Sequence, residues 1–463
     1  MSTSSVGGFR SELEAVRDKL REGHLNALRD ILQDSAILAA CRDIGHEFRN
    51  RLLTPVVAVF HMIAAAIWPD ASFQAAWHVF GSEHVSSGSL SKARNRLPAK
   101  LFAKLAEHVA RLAATISQPW AVWRGHRVVD FDGTCLSMED TPELMAEFGT
   151  CNTKHGPGRY PLARIVVAML WGTMTVLGYA VGAYAVSEQA LAAELMALLV
   201  PGDLAVGDRH FAGANHYAQY VRRGVEFLTR VHQRLKIGRL KRLVTYSPDD
   251  FVVEMPVGKK HRREDPSLPK SVTVRLIRVE GRVRGKFESI WLATSLVDAE
   301  RYPAGEIAKL YAGRWRIETM FRDLKIAGGA DVLRSKKPDG VRNEIAARIM
   351  AMNLVRMLMI EAATKHGREP TRMSFTAALR LVVSTSLRMS TAPAWELSGL
   401  YEIMRTFVRT FSDAIDGGLE DIAAETVPER PGRNEPRMKR RETKHYEALR
   451  TTRAAWRQAN AAA

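Results

Sequence analysis

The sequence feature that most limits the fold is an uncharged run from Ile165 to Val186, IVVAMLWGTMTVLGYAVGAYAV. It meets the length test for a membrane-spanning helix. However, Gly172 and Thr173 separate two parts rich in β-branched and aromatic residues, as a turn separates two buried strands. The sequence has no second run of this kind, and Arg164 directly precedes this one. We therefore expect two core strands of a sheet and no membrane association.

Charge and cysteine content indicate the class of partner and the compartment. The chain has 463 residues, enough for about three domains. Its 67 Lys and Arg against 50 Asp and Glu give a net charge of +17, which favours a polyanion such as nucleic acid or an anionic membrane surface. Cys41, Cys135 and Cys151 are too scattered for a disulfide framework or zinc cluster. The N-terminus has no secretory signal pattern, so we expect a cytoplasmic protein.

The first hundred or so residues have helical patterns. Thr54 and Pro55 form a typical helix start, with a capping hydroxyl followed by proline in the first turn. The segment from Ser86 to Leu97, SSGSLSKARNRL, predicts a capped basic helix. Such a helix suits contact with a DNA backbone, and it equally suits an ordinary protein surface.

Strand patterns begin near Gly125 and are followed by a helix and another strand, the order expected of an α/β domain. Residues 239–295 are β-branched and basic, which predicts a β-rich insertion. Helical patterns return after Ala304. Residues 429–463 are basic and lack aliphatic periodicity, which predicts a disordered tail that either contacts DNA or only solubilises the chain.

Three acidic residues are candidates for a metal site. Asp132 in VVDFDGT and Asp208 in LAVGDRHF each follow a predicted strand, with a turn expected at Gly133. Ligands bind at this edge of α/β sheets, and two neighbouring carboxylates there need a cation such as Mg²⁺ or Mn²⁺. Glu318 is the candidate third ligand. Either Asp alone is also a common turn residue, and Asp130, on the same side of the strand as Asp132, is an alternative first ligand.

The segment YAGRWRIETMFRDLK predicts a single helix. At about 100° per residue, Tyr311, Arg314, Glu318 and Lys325 fall within roughly 60° of arc. A neighbouring stripe is apolar and predicts the packed face: Leu310, Ile317, Met320 and Leu324. Alone, this helix would be interpreted as an ion-paired surface helix. With the two aspartates, it predicts a metal-binding carboxylate flanked by cations.

These motifs resemble those of the Asp-Asp-Glu transposases of bacterial insertion sequences, in particular the insertion-sequence-four family. The shared features are DGT at Asp132, GDRHF around Asp208, and the Tyr-x2-Arg-x3-Glu-x6-Lys spacing that starts at Tyr311. The likeness extends from roughly Pro55 to Leu358. It implies an α/β fold with a ribonuclease-H-like catalytic core, a β-rich insertion between the second Asp and the Glu, and helical N- and C-terminal regions.

The resemblance also implies roles for individual residues. Catalytic metal binding, by two Mg²⁺ ions with Mn²⁺ as substitute, is assigned to Asp132, Asp208 and Glu318. Contact with the DNA backbone beside the cut is assigned to Tyr311, Arg314 and Lys325. Some family members have a Trp at the position of Trp291 that stacks on a flipped-out base, although a Trp in an apolar strand is more often a core residue.

The implied organisation is a helical DNA-binding region at 1–120, a catalytic core at 121–345 with an insertion at 239–295, a helical region at 346–428 and the tail at 429–463. The implied function is metal-dependent cleavage at transposon ends and strand transfer into target DNA. The expected partners are terminal inverted repeats, target DNA and a second copy of the chain in a synaptic complex. The expected location is the cytoplasm, at the nucleoid. The alternatives are a catalytically silent DNA-binding protein and a nuclease that cuts without joining.

Overall fold

The computed structural model describes residues 32–80, 85–153, 156–283 and 286–391. The predicted tail at 429–463, and residues 392–428 of the predicted C-terminal helical region, lie outside these ranges. The disorder predicted for the tail therefore stays a prediction.

Residues 1–31 of the predicted N-terminal helical region also lie outside these ranges. The described part of that region is largely helical, as its sequence predicts. The Thr54 hydroxyl accepts a hydrogen bond from the Val57 amide at 3.3 Å, and the Ser86 hydroxyl accepts one from the Ser89 amide at 3.3 Å. Both are N-cap interactions, which satisfy amides that lack a partner within the helix. The helices are α1 (Asp34–Asp43), α2 (Pro55–Ile67), α3 (Phe73–Phe80), α4 (Ser87–Asn95) and α5 (Ala99–Ser117).

A large mixed sheet forms the centre of the molecule. The first strands along the chain are β1 (Val122–Trp123), β2 (His126–Met138), β3 (Asn152–Thr153), β4 (Gly156–Pro157), β5 (Leu162–Leu170), β6 (Val176–Ala183), β7 (Leu204–Gly207) and β8 (Glu226–Arg230). Of these, β3 and β4 pair with each other and lie outside the central sheet. The helices between them are α6 (Pro142–Phe148), α7 (Glu188–Leu195) and α8 (Ala214–Arg222). The strands β6-β5-β2-β7-β8 are hydrogen-bonded in that order, with β7 parallel to β2 and β8, and β5 antiparallel to β2 and β6.

The uncharged run forms the antiparallel strands β5 and β6, joined by a turn at the predicted position. Residues 165–170 of β5 are buried, and successive side chains alternate between two core clusters, one on each face of the sheet. Burial on both faces explains the lack of polar alternation in this strand. In the part of the chain that the structure describes, none of the helices has the length and apolarity needed to cross a membrane.

The segment predicted to be a β-rich insertion contains β9 (Lys241–Ser247), β10 (Asp250–Pro256), α9 (Lys259–Glu264), β11 (Ser271–Val283) and β12 (Lys286–Thr294). These strands extend the central sheet, because β12 pairs antiparallel with β8, and the order continues β12-β11-β10-β9. The segment thus shares its sheet with the preceding strands.

The chain after the sheet contains α10 (Ala304–Ala312), α11 (Trp315–Arg322), a π-helical segment (Asp323–Ala327), β13 (Val332–Leu333), α12 (Pro338–His366) and α13 (Phe375–Thr391). Helix α12 is buried along most of its length and packs against α2 and α5. Its Asn353 side chain donates to the Val176 carbonyl at 2.9 Å and accepts from the Val176 amide at 2.8 Å. The apolar sequence of α12 therefore belongs to the core.

Candidate active site

Asp132 lies within β2, which continues to Met138. The prediction of a turn at Gly133 is therefore wrong. The reason is that β5 pairs with β2 through Ser137 and keeps it extended. On the other edge, β7 pairs with β2 only as far as Phe131, and β13 joins at Ser137. Residues 132–136 of β2 thus lie between these two pairings on that edge, and Asp132 is the first of them.

Asp208 lies beside Asp132 because of the strand register. Phe131 and Gly207 form the last pair between β2 and β7, and each aspartate is the next residue along its chain segment. The Asp208 carboxylate then caps a short 3₁₀ helix by accepting a hydrogen bond from the His210 amide at 2.7 Å. The two carboxylates are close enough that Asp208 contributes to raising the pKa of Asp132.

The segment predicted as one helix from Tyr311 to Lys325 is divided, so that prediction is wrong. Helix α10 ends at Ala312, α11 begins at Trp315, and a π-helical segment follows from Asp323. The break falls where the chain passes the Trp171 indole: a Cβ on Gly313 would lie 2.5 Å from its Nε1.

The apolar stripe predicted for this segment is confirmed, because all four of its side chains are buried: Leu310, Ile317, Met320 and Leu324.

Arg314 lies between the carboxylates. Its Nη1 is 3.2 Å from Asp132 Oδ2, and its Nη2 is 3.6 Å from Glu318 Oε1. Burial lowers the pKa of Arg314, but Tyr311, Asp132, Glu318 and Asp208 outweigh this effect, and the pKa is raised. The guanidinium is therefore held in its charged form by three carboxylates from β2, the end of β7 and α11.

Tyr311 packs against Arg314 from the preceding helix. Burial, opposed in part by Arg314, raises the pKa of Tyr311 to about 12, so its hydroxyl stays protonated and can donate a hydrogen bond. Lys325 lies in the π-helical segment and influences the thiol of Cys135, three residues beyond Asp132 on β2. The structure therefore groups Tyr311, Arg314 and Glu318 with the two aspartates, whereas Lys325 lies in the π-helical segment near Cys135.

The Asp132 carboxyl has a raised pKa of about 6. Burial is the largest cause, and nearby Asp208 and Glu188 add to it; Arg314 and the Gly133 amide, which donates to Oδ1 at 2.8 Å, oppose it. A carboxyl in this environment ionises at neutral pH, and a nearby cation would stabilise its ionised form. This behaviour is expected of a metal ligand.

Asp130, the alternative first ligand, is completely buried. Neither of its carboxyl oxygens has a hydrogen-bond partner among the described residues. Burial raises its pKa well above the usual range, although Arg314 and Arg316 oppose the effect. An enclosed carboxyl whose pKa is raised by burial is a poorer cation ligand than the partly exposed Asp132.

Glu188 is a fourth carboxylate at this site that the sequence did not single out. It is the first residue of α7, and its side chain lies against the backbone of Gly133, where a Cβ would be 2.6 Å from Glu188 Cδ. Its only signal in the sequence is an acidic residue after the capping Ser187. That signal is shared by most helix starts.

Trp291 lies on β12, which is separated from β7 by β8. Its indole packs edge-on against the Phe251 ring, with 5.5 Å between centroids, and contacts the core on that face of the sheet. The structure gives Trp291 a packing role, and its stacking on a flipped base stays a prediction.

The donor chemistry fits a hard divalent cation, because three carboxylates from separate elements converge on one positive group. Within the described ranges, however, no three His, Cys, Asp or Glu side chains are arranged around a common point as ligands of one ion. The guanidinium of Arg314 lies between two of the carboxylates in this arrangement.

The chain is similar to known transposases. The family model described as "Transposase DDE domain" matches residues 123–354, half of the chain. The chain is 28% identical over 314 residues to transposase InsG for insertion sequence element IS4 of Escherichia coli (strain K12), covering 65% of this chain and 67% of that protein.

Among solved structures, piggyBac transposase in a synaptic complex with hairpin DNA aligns with 88% of this chain and 86% of its own at a TM-score of 0.40 and 11% identity. That likeness is too weak to define a shared fold. The family match spans the segment that carries Asp132, Asp208 and Glu318. The chain belongs to the DDE transposase family and is of the IS4 type.

Proposed function

We propose that this chain cleaves DNA at the ends of its element and joins those ends to target DNA, with Asp132, Asp208 and Glu318 as the catalytic carboxylates. The observation that carries the proposal is that the Arg314 guanidinium lies 3.2 Å from Asp132 and 3.6 Å from Glu318, while the register of β2 and β7 places Asp208 beside Asp132. In this proposal, the strands β6-β5-β2-β7-β8 are the ribonuclease-H-like core. The family assigns the chain to DNA transposition in general, and the reaction and the residue roles are our proposal.

The three carboxylates would hold two Mg²⁺ ions, or Mn²⁺ as a substitute. When bound, such ions activate the attacking hydroxyl and stabilise the leaving oxygen of a phosphodiester. The protein's own cations position the substrate: Arg314 has a planar set of donors suited to a phosphate, and the protonated Tyr311 beside it can donate a further hydrogen bond. Lys325, in the π-helical segment, is the proposed additional contact to the DNA backbone.

A basic groove supports DNA binding by the N-terminal helices. It has a volume of about 790 Å³, lies between residues 46–55 and α4, and is lined by Arg49, Arg51, Lys92 and Arg96, with one acidic residue, Glu47. Arg94, on the same helix, instead stacks on the Phe73 ring at 3.5 Å. Lys92 of α4 and Arg96, which directly follows this helix, thus line an open groove, as cations that contact DNA phosphates would.

Two ends must be brought together for transposition, so we propose that a homodimer forms the synaptic complex. It would act at the nucleoid in the cytoplasm. Its substrates would be the terminal inverted repeats and the target DNA.

The proposal is tested with duplexes that carry the ends of the element and a supercoiled target plasmid, comparing the wild-type protein with Glu318→Gln. We expect cleavage and joining with Mg²⁺ but not with EDTA, and loss of both in the variant while end binding is retained. The matched control is Glu306→Gln, an exposed glutamate on α10 paired with Arg124. Glu306→Gln should cut normally. Binding of authentic ends without cleavage by the wild type, in Mg²⁺ and in Mn²⁺, would contradict the proposal and favour a silent DNA-binding protein.

A further inference from the structure

The turn between β5 and β6 is fixed to the strand that carries Asp132. The Trp171 amide donates to the Val128 carbonyl of β2 at 3.1 Å. The next residue, Gly172, lies so close to the Trp120 backbone that a Cβ there would be 1.7 Å from the carbonyl oxygen. Contacts with two backbone segments therefore hold Trp171 in place.

Trp171 lies on the same face of the sheet as Asp132. Val128 and Asp132 are four residues apart in β2, so their side chains point to the same face. The Trp171 side chain packs with Val128 and Tyr311 in one apolar cluster. The indole therefore lies beside the segment that carries Arg314 and Glu318.

The Trp171 indole occupies the space at the break between α10 and α11. A Cβ on Gly313 would lie 2.5 Å from its Nε1 and 3.0 Å from its Cε2 and Cζ2. Gly313 has a φ of −65°, which any residue can adopt, so the indole and not the backbone conformation requires glycine here. The buried Nε1 has no hydrogen-bond partner among the described residues, so packing holds the ring. The ring thus fixes the residue that directly precedes Arg314.

Arg316 contacts the same indole from α11. Its guanidinium carbon lies 4.0 Å from the centre of the Trp171 ring, within cation–π range, and its Nη1 donates to the Trp171 carbonyl at 3.4 Å. Trp171 therefore meets this segment at two points, Gly313 and Arg316, on either side of Arg314 in the sequence.

Two contacts determine how a short helix is rotated about its axis. Helix α11 has eight residues, Trp315–Arg322, and is not a member of the sheet. Successive residues of a helix are about 100° apart on a rigid cylinder, so a rotation that separates Arg316 from the indole also moves Glu318. The contacts with Trp171 thus restrain the distance from Glu318 to Asp132.

We propose that Trp171 is a positioning residue that sets the place of Glu318 beside Asp132 and Asp208, and that Arg316 transmits this contact to α11. The inference rests on the proposed function, because it takes the three carboxylates as ligands of divalent cations.

The first measurement is Mn²⁺ binding by the DNA-free protein, followed by electron paramagnetic resonance. Loss of a residue that orients a metal ligand typically weakens metal binding about 10- to 100-fold. Trp171→Ala should therefore raise the dissociation constant for Mn²⁺ at least about tenfold, and Arg316→Gln should raise it as well. Trp171→Phe keeps an aromatic face for Arg316 and should lie between the wild type and Trp171→Ala. Binding of the end duplex in EDTA should stay unchanged in both Trp171 variants.

A double variant tests the contact itself. Gly313→Ala should weaken Mn²⁺ binding, because its Cβ displaces the indole. Gly313→Ala combined with Trp171→Ala should bind Mn²⁺ no more weakly than Trp171→Ala alone, because the truncated side chain leaves room for the methyl group. Additive losses in the double variant would contradict the contact.

The matched control is Trp123→Ala, which removes an indole that stacks on Tyr302, with 6.0 Å between ring centroids, and not on α11. It should lower the melting temperature without changing the dissociation constant for Mn²⁺.

If Trp171→Ala is folded by circular dichroism and binds Mn²⁺ like the wild type, or if Trp123→Ala weakens binding equally, the inference is wrong. The proposed function then stands as long as Glu318→Gln abolishes cleavage. If Trp171→Ala does not fold, unchanged Mn²⁺ binding by Trp171→Phe and Arg316→Gln overturns the inference in the same way. If the wild type neither binds Mn²⁺ nor cuts authentic ends, the proposed function and this inference both fail.

Discussion

Asp323 and Arg356 form a buried ion pair that joins the π-helical segment to α12. Arg356 Nη2 donates to Asp323 Oδ2 at 2.5 Å, and the two side chains are 1% and 8% exposed. Arg322 also approaches Asp323, at 3.6 Å. The pair therefore fixes the segment that carries Lys325 against the longest core helix.

The pair predicts an asymmetric pattern of stability. Asp323→Leu leaves the Arg356 charge buried without its partner and should lower the free energy of unfolding by about 3–5 kcal/mol. Arg356→Met should cost less, because Arg322 remains near Asp323. The double variant should be less destabilised than the sum of the single variants. Urea denaturation of the four proteins measures this, and strictly additive effects would contradict a coupled pair.

The pKa of Asp132 predicts how stability depends on pH. Its folded-state pKa is raised to about 6, so between its ordinary value and 6 the folded state binds a proton that the unfolded state does not. Stability from this group is therefore present at low pH and lost as pH rises through 6. In metal-free protein, the fall in melting temperature from pH 5 to pH 8 should be smaller in Asp132→Asn than in the wild type. An equal fall in melting temperature in the two proteins would contradict the raised pKa of Asp132.

The same shift predicts how metal binding depends on pH. A cation requires ionised Asp132, so stabilisation of the wild type by added Mg²⁺ should increase as pH rises through about 6. Thermal shifts at fixed Mg²⁺ concentration across this range measure the effect. Stabilisation that is independent of pH would indicate that Asp132 is not a ligand.

Arg314 should not be replaceable by lysine. Its two terminal nitrogens face Asp132 and Glu318 separately, whereas an ammonium group is a single point charge. Arg314→Lys should lower the single-turnover cleavage rate at least about tenfold, equivalent to about 1.4 kcal/mol of activation free energy. Arg322→Lys, at a half-exposed position on the same helix, is the control and should cut at the wild-type rate.

Two glycines should respond in opposite ways to alanine. In the turn between β5 and β6, a Cβ on Gly172 would lie 1.7 Å from the Trp120 carbonyl oxygen, and backbone cannot move aside as a flexible side chain can. Gly172→Ala should lower stability by about 2–4 kcal/mol. Gly305, in the first turn of α10, has open space around it, and Gly305→Ala should raise stability by about 0.5–1 kcal/mol. The melting temperatures of the two variants, compared with that of the wild type, measure these opposite changes in stability.

The sequence predicted those features that depend on local chemistry. The caps Thr54 and Ser86, the paired strands β5 and β6, and the apolar face of α11 follow from capping, turn and periodicity rules that act within a few residues. The proximity of Asp132 and Asp208 was also predicted, although Asp132 lies within β2 and not at its end.

Features set by distant parts of the chain were not predictable. The continuation of β2 past Gly133 depends on pairing with β5, and the break at Gly313 depends on the Trp171 indole. The role of Glu188 depends on its contact with Gly133, 55 positions earlier in the sequence. Local patterns contain no information about such contacts.

The division of the predicted helix at Gly313 and Asp323 means that the three carboxylates differ in what restrains them. Asp132 lies within β2, which pairs with β5, and Asp208 directly follows β7, which pairs with β2. Glu318 lies on a two-turn helix bounded on one side by a break and on the other by a π-helical turn. Because this helix is not a member of the sheet, a rotation of it would alter the distance from Glu318 to the aspartates without breaking a hydrogen bond of the sheet. The site thus combines two carboxylates that are placed by the sheet with one that is placed by a short helix.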